Sequence, residues 1–207
     1  SGWNGGLRYF TMDVNGDGKG DIVGRDANGT LMTYLSNGIG FALAGTTTTG
    51  LTDASGYNGG LRFFTLDING DGKGDLVARA ANGTLTTYRS NGTGFAIFST
   101  TTTGLTDASG WNSGLRFFPM DVLGYGTGSL IARDASGNLL SYIEVGQFPD
   151  LLHQVTTGLG NVTTTEYRAI TDSTIYTKDS TAVYPYQDLQ APIFVVTSIV
   201  VSDGIGG

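Results

Sequence analysis

The sequence predicts an all-β protein: a partial β-propeller of about three four-stranded blades with a C-terminal β-rich extension. Three observations carry this. A long unit recurs three times, so that Gly2-Trp3-Asn4-Gly5-Gly6-Leu7-Arg8-Tyr9-Phe10 returns as Gly56-Tyr57-Asn58-Gly59-Gly60-Leu61-Arg62-Phe63-Phe64 and as Gly110-Trp111-Asn112-Ser113-Gly114-Leu115-Arg116-Phe117-Phe118. An acidic, glycine-rich loop sits inside the unit, with Asp67 54 positions after Asp13. Aromatic and β-branched residues fall in short runs split by turn residues, with no 3.6-residue period. A fixed period of this size marks a solenoid, a propeller or an array, and four short antiparallel strands per unit describe a propeller blade.

Each unit divides into four strands. In the second they are expected at about 61–67, 75–80, 84–90 and 95–101, where β-formers concentrate. Asn28-Gly29, Asn82-Gly83 and Ser136-Gly137 stand where the second and third strands reverse, which suits a tight hairpin with positive φ. The linker Thr47 to Ser55 is repeated as Thr101 to Ser109 and carries the chain to the next blade. The blades are therefore placed at about 1–54, 55–108 and 109–147. Three are fewer than the four to eight that close a propeller. The chain reads as a piece of a larger protein whose open edges are covered by its C-terminal segment or by a second copy.

The extension, 148–207, follows different rules. Residues 161–168 alternate like a strand, and 192–201 form a long β-branched run expected to be a buried strand. Between them, 170–189 is polar, contains Pro185 and reads as a loop or arm.

The chemistry lies in the repeated loop. The first copy is Asp13-Val-Asn15-Gly-Asp17-Gly-Lys19-Gly-Asp21 and the second Asp67-Ile-Asn69-Gly-Asp71-Gly-Lys73-Gly-Asp75. Side-chain oxygens occupy positions 1, 3, 5 and 9, the carbonyl of Lys19 or Lys73 at position 7 completes the set, and glycines let the backbone curl. An all-oxygen shell of this kind suits Ca²⁺, and two ions are expected. The lysine side chains should point away from them. An EF-hand would need a bidentate Glu at position 12, where Gly24 and Ala78 stand. Nonapeptide calcium rolls repeat every nine residues, unlike this loop. In the third copy Leu123, Tyr125 and Ser129 replace donors, so that loop, beginning at Asp121, should be empty. The ion's role is expected to be structural.

Composition narrows the function. The formal net charge of −7 argues against a nucleic-acid surface, and two Ca²⁺ would offset most of it. The chain has no cysteine, which leaves neither disulfides nor thiolate metal sites and fits a secreted bacterial protein stabilised by calcium. No apolar run is long enough to span a bilayer as a helix. Trp3, Tyr57 and Trp111 share one repeat position and read as packing between blades. Arg8, Arg62 and Arg116 read as a repeated buried hydrogen bond or salt bridge. His153 has no nucleophile or acid partner near it and reads as structural. No catalytic residue is assigned, and an enzyme is not expected.

The loop motif, set after an aromatic strand and before an apolar one, resembles the FG-GAP/VCBS repeats of integrin-type propellers over about residues 1–145. Phe41-Ala42 and Phe95-Ala96, each after a glycine, match the Gly-Phe element of those repeats. The extension, through Val155-Thr-Thr-Gly-Leu-Gly-Asn-Val-Thr-Thr-Thr-Glu-Tyr167, Leu189-Gln-Ala-Pro-Ile-Phe-Val-Val196 and Ser202-Asp-Gly-Ile-Gly-Gly207, resembles the stretch after the propeller in Tc-toxin B components and Salmonella-virulence-plasmid-B-like and Rhs/YD-repeat proteins. This resemblance implies a β-rich connector toward a hollow toxin shell, and a propeller that docks on a translocation subunit. The function expected is a non-enzymatic docking and structural module of a secreted toxin shell; the alternative is a carbohydrate- or receptor-binding propeller.

Overall fold

The computed structural model describes residues 9–59, 61–113, 116–142, 151–186 and 193–202. These residues are all-β, arranged as four antiparallel sheets. The first sheet is β1 (Tyr9–Met12), β2 (Asp21–Arg25), β3 (Thr30–Ser36) and β4 (Phe41–Thr48), paired in chain order. The second repeats it as β5 (Phe63–Leu66), β6 (Asp75–Arg79), β7 (Thr84–Ser90) and β8 (Phe95–Thr102). The third contains β9 (Phe117–Met120), β10 (Ser129–Arg133) and β11 (Leu139–Tyr142). Its expected fourth strand falls outside the described residues, as do Trp3 and Arg8. Pro119 sits in β9, an edge strand, where its missing N–H breaks no interior ladder.

The repeat reaches into fine structure. Both β3–β4 and β7–β8 carry a bulge at the same place, between Thr33 and Tyr34 and between Thr87 and Tyr88. The hairpins at Asn28-Gly29 and Asn82-Gly83 have positive φ at the glycine only. The amide of Gly29 donates to Asp26 O, and that of Asp26 to Thr30 O. This is the three-residue loop built on a type I turn with a left-handed glycine.

The core lies between sheets. One cluster joins the first and second units, with Phe10, Val23 and Leu31 packed against Leu76, Tyr88 and Phe95. The other joins the second and third, with Phe64, Val77 and Leu85 against Phe117 and Leu130. Phe10 meets Phe63 at 4.9 Å between ring centroids, and Phe64 meets Phe117 at the same 4.9 Å. Tyr57 and Trp111 are buried against Phe63 and Phe117, at 5.8 and 5.4 Å, as packing residues should be.

The extension forms the fourth sheet, β12 (Gln154–Thr156), β13 (Val162–Ala169) and β14 (Phe194–Val201), in that order. The run expected to be a buried strand is a strand but not a buried one. Val196, Ile199, Val200 and Val201 are all largely exposed, and because neighbours alternate between faces, both faces of β14 are open. Among the described residues of its three strands only Ala169, at the end next to Phe194, is buried.

Candidate metal centre

Each acidic loop leaves the first strand of its sheet and enters the second. Asp13 Oδ1 accepts the amides of Gly16 and Asp17 at 2.7 and 3.1 Å, and its Oδ2 that of Gly18 at 2.7 Å. Asp67 does the same with Gly70, Asp71 and Gly72. So does Asp121, with Gly124, Tyr125 and Gly126. The position-1 aspartate therefore holds the turn in all three copies, including the one whose other donors are missing.

Positions 3, 5, 7 and 9 set the first two loops apart. Asp21 and Asp75 are buried at the start of the second strands. The amides of Val14 and Ser36 donate to Asp21 at 2.8 Å each, and those of Ile68 and Ser90 to Asp75 at 3.0 and 2.8 Å. Each of these carboxylates thus ties its own loop to the end of the third strand. Asp17 and Asp71 accept the amides of Lys19 and Lys73, and also their ammonium groups, at 2.8 and 3.1 Å. The lysine side chains, expected to turn away, fold back as internal counter-ions. Asn15 Oδ1 accepts the Asp17 amide.

The structure brings the ten sequence-predicted residues into two loops, with the carboxylates turned toward backbone and lysine. Among the described residues no three carboxylate, histidine or cysteine groups gather into a metal cage. The donor chemistry of the second loop nevertheless fits a hard cation. Asn69 Oδ1 is shielded from solvent and accepts no hydrogen bond. Burial pushes the Asp75 carboxyl up to about 6, and the charges of Asp67 and Asp71 push the same way. Burial also raises Asp67. For Asp71, burial is outweighed by bonds from Lys73 and Asn69, and the carboxyl lies below its ordinary value. A cation would meet an unpartnered oxygen and offset desolvated charge.

The loops stack on one another across the sheets. The Gly74 amide donates to Asp13 O at 2.5 Å, and the Gly128 amide donates to Asp67 O. The third loop is met by the extension: Thr171 Oγ1 donates to Gly124 O at 2.9 Å, and Tyr125 meets Phe194 edge-on at 6.2 Å. A methyl on Gly124 would touch Thr171, as one on Gly16 would approach Gly72 O and one on Gly70 would approach Gly126 O. Thr171 therefore stands where a following loop would.

Arg62 behaves as expected, buried and bonded through both guanidinium NH groups to Asp107. Arg116 donates to Gly110 O. Sequence reasoning missed a second arginine series. Arg25 and Arg79 are fully buried. Arg25 donates to Leu51 O, Tyr57 O and Asp53, and Arg79 to Leu105 O, Leu61 O and Asp107. Each also lies over a ring of the next unit, Phe63 or Phe117, at 5.5 and 5.6 Å. The signal was present, since Arg25, Arg79 and Arg133 share one repeat position. His153 Nδ1 lies 3.2 Å from Thr165 O beside β12.

Comparison with known proteins agrees with this anatomy. No curated protein matches the chain in sequence. A solved chain described as the crystal structure of TcdB2-TccC3 superposes with a TM-score of 0.60 at 22% identity, over 79% of this chain and 8% of that one. A second, of TcdB2-TccC3-Cdc42, gives 0.56 at 21% identity with the same coverage. The chain thus spans under a tenth of the length of these solved chains. Residues 13–78, from the first acidic loop to the strand after the second, match the FG-GAP-like repeat family, and they lie in a partial β-propeller whose fold is shared with Tc-toxin chains.

Proposed function

We propose that the chain is a non-enzymatic, calcium-stabilised propeller segment that serves as a structural and docking module of a secreted bacterial toxin shell. The observation that carries this is the place of the acidic loops. They stack at the junction between sheets, so a cation held there would brace the blades against each other. Asp13, Asn15, Asp17, Asp21 and the carbonyl of Lys19 would hold one ion, and Asp67, Asn69, Asp71, Asp75 and the carbonyl of Lys73 the other. Calcium supplies two positive charges and six to eight oxygen contacts when bound. Binding requires the Lys19 and Lys73 ammonium groups to leave Asp17 and Asp71. The toxin-shell reading is supported by the fold shared with TcdB2-TccC3.

Metal analysis and thermal melting test the calcium reading. About two Ca²⁺ per chain are expected, a chelator should lower the melting temperature, and Asp17→Ala and Asp71→Ala should each remove one ion. Absence of bound calcium from the purified protein, with a melting curve that neither calcium nor chelator moves, rejects it. Pull-down with a translocation subunit tests docking separately.

A further inference from the structure

We infer that the two acidic loops bind their cations as a coupled pair, linked through the backbone and through Ser90. The inference rests on the calcium reading above and goes beyond it, since nothing in that reading requires the sites to sense each other. Three contacts join ligand-bearing segments of one loop to those of the other. Asp13 offers its carboxylate to the first site while its carbonyl accepts the Gly74 amide at 2.5 Å. Gly74 immediately precedes Asp75, so one peptide separates the donors of the two sites. Gly16, between Asn15 and Asp17, faces Gly72 and Lys73: a methyl there would stand 3.3 Å from Gly72 O and 3.4 Å from Lys73 Cγ. Ser90 closes the link. Its amide donates to Asp75 at 2.8 Å, and its hydroxyl donates to the carbonyl of Val14, inside the first loop, at 2.6 Å.

A cation that fixes Asp13 and Asn15 therefore also fixes the carbonyls on which Gly74 and Ser90 are hung. Those two residues position Asp75. Part of the ordering cost of the second site is met when the first is filled, which is positive coupling, and the effect must be reciprocal. The second and third loops are joined by the same kind of amide bond, from Gly128 to Asp67. There it ends on a loop with few donors, so the pair is the whole coupled unit.

Calorimetric titration of the full chain with Ca²⁺ tests this. Asp17→Ala and Asp71→Ala isolate one site each. Both spare the position-1 aspartates that hold the turns, and Asp17→Tyr and Asp71→Tyr, the residue type that the third loop carries at this position while keeping its turn, serve if either alanine variant loses its amide-resolved NMR spectrum. The product of the two wild-type binding constants should exceed the product from the single-site variants by at least about fivefold, the lower end of ordinary coupling. Ser90→Ala keeps every ligand and the Asp75 amide bond. It should move that ratio toward one with little change in the single-site affinities. A wild-type isotherm equal to the sum of the two single-site isotherms overturns the coupling while leaving the calcium sites standing. No calcium uptake by the wild type overturns the underlying reading instead.

Discussion

Asp107 shows how much rests on single side chains. It bonds both Arg62 and Arg79, and Arg79 is fully buried. Removing the carboxylate would leave a buried guanidinium without its charge partner, which costs about 3 kcal/mol. Asp107→Ala should therefore lower the stability of the blades by about that much in a urea melt, with the loss shared between the second and third units. Its titration gives a second handle. Burial alone would raise the Asp107 carboxyl, but hydrogen bonds from Arg62 and Arg79 outweigh it and hold the group below 3.8. A depressed folded value contributes stability that is complete above 3.8 and lost as pH falls through the folded value. Asp107→Asn should accordingly flatten the fall of melting temperature below about pH 4 and leave the slope near neutrality unchanged. An unaltered acid limb would show that this pair does not govern acid unfolding. Arg62 was legible as a structural residue because it stands in the conspicuous repeat around the aromatic pair. Arg25 and Arg79 were not. A strand-end arginine in a repeat looks solvated until the linker is seen to wrap over it.

The loops and strands were legible to different depths. Strands expected at 75–80 and 84–90 appear as β6 and β7 with ends shifted by no more than one residue, because β-branched and aromatic runs bounded by glycine leave little freedom. The acidic loops were legible as loops, and their stacking was not, since sequence spacing carries no information about which amide meets which carbonyl. Nor was the folding back of Lys19 and Lys73, which depends on a counter-charge two residues away. The stacking makes a sharp prediction. A methyl on Gly74 would stand 2.6 Å from Met12 Cβ and 3.2 Å from Asp13 O, whereas one on Gly20, the same loop position in the first unit, meets nothing within 4 Å. Gly74→Ala should wedge the first and second sheets apart and cost about 1–3 kcal/mol. Gly20→Ala should be neutral or stabilise by up to about 1 kcal/mol by restricting the unfolded chain. Paired urea melts decide it, and equal effects at the two glycines would mean that the loops do not stack in solution.

The two ends of the blade stack were expected to be covered by the extension or by another copy, and they differ. At the far end, Thr171 and Phe194 of the extension meet the third loop. Leu123 and Tyr125 looked in sequence like the decay of a calcium loop; Tyr125 is also a contact surface for Phe194, which spacing alone could not reveal. At the near end, the first sheet lacks what the second has. Phe95 is 5% exposed because the first unit packs over it, while Phe41, its counterpart one repeat earlier, is 53% exposed. An aromatic side chain that the same repeat buries elsewhere leaves apolar surface in water that a partner surface would cover. The isolated chain should therefore self-associate reversibly through this face, seen as a rise in weight-average mass with concentration in light scattering. Burying one phenylalanine contributes about 2 kcal/mol, which corresponds to roughly thirtyfold in a dissociation constant. Phe41→Lys should weaken association by up to about that factor and change the stability of the monomer by less, because 53% of the residue already lies in solvent. A wild-type chain that stays monomeric at millimolar concentration, or association that Phe41→Lys leaves intact, would show that the open face of the first sheet is not the surface through which copies meet.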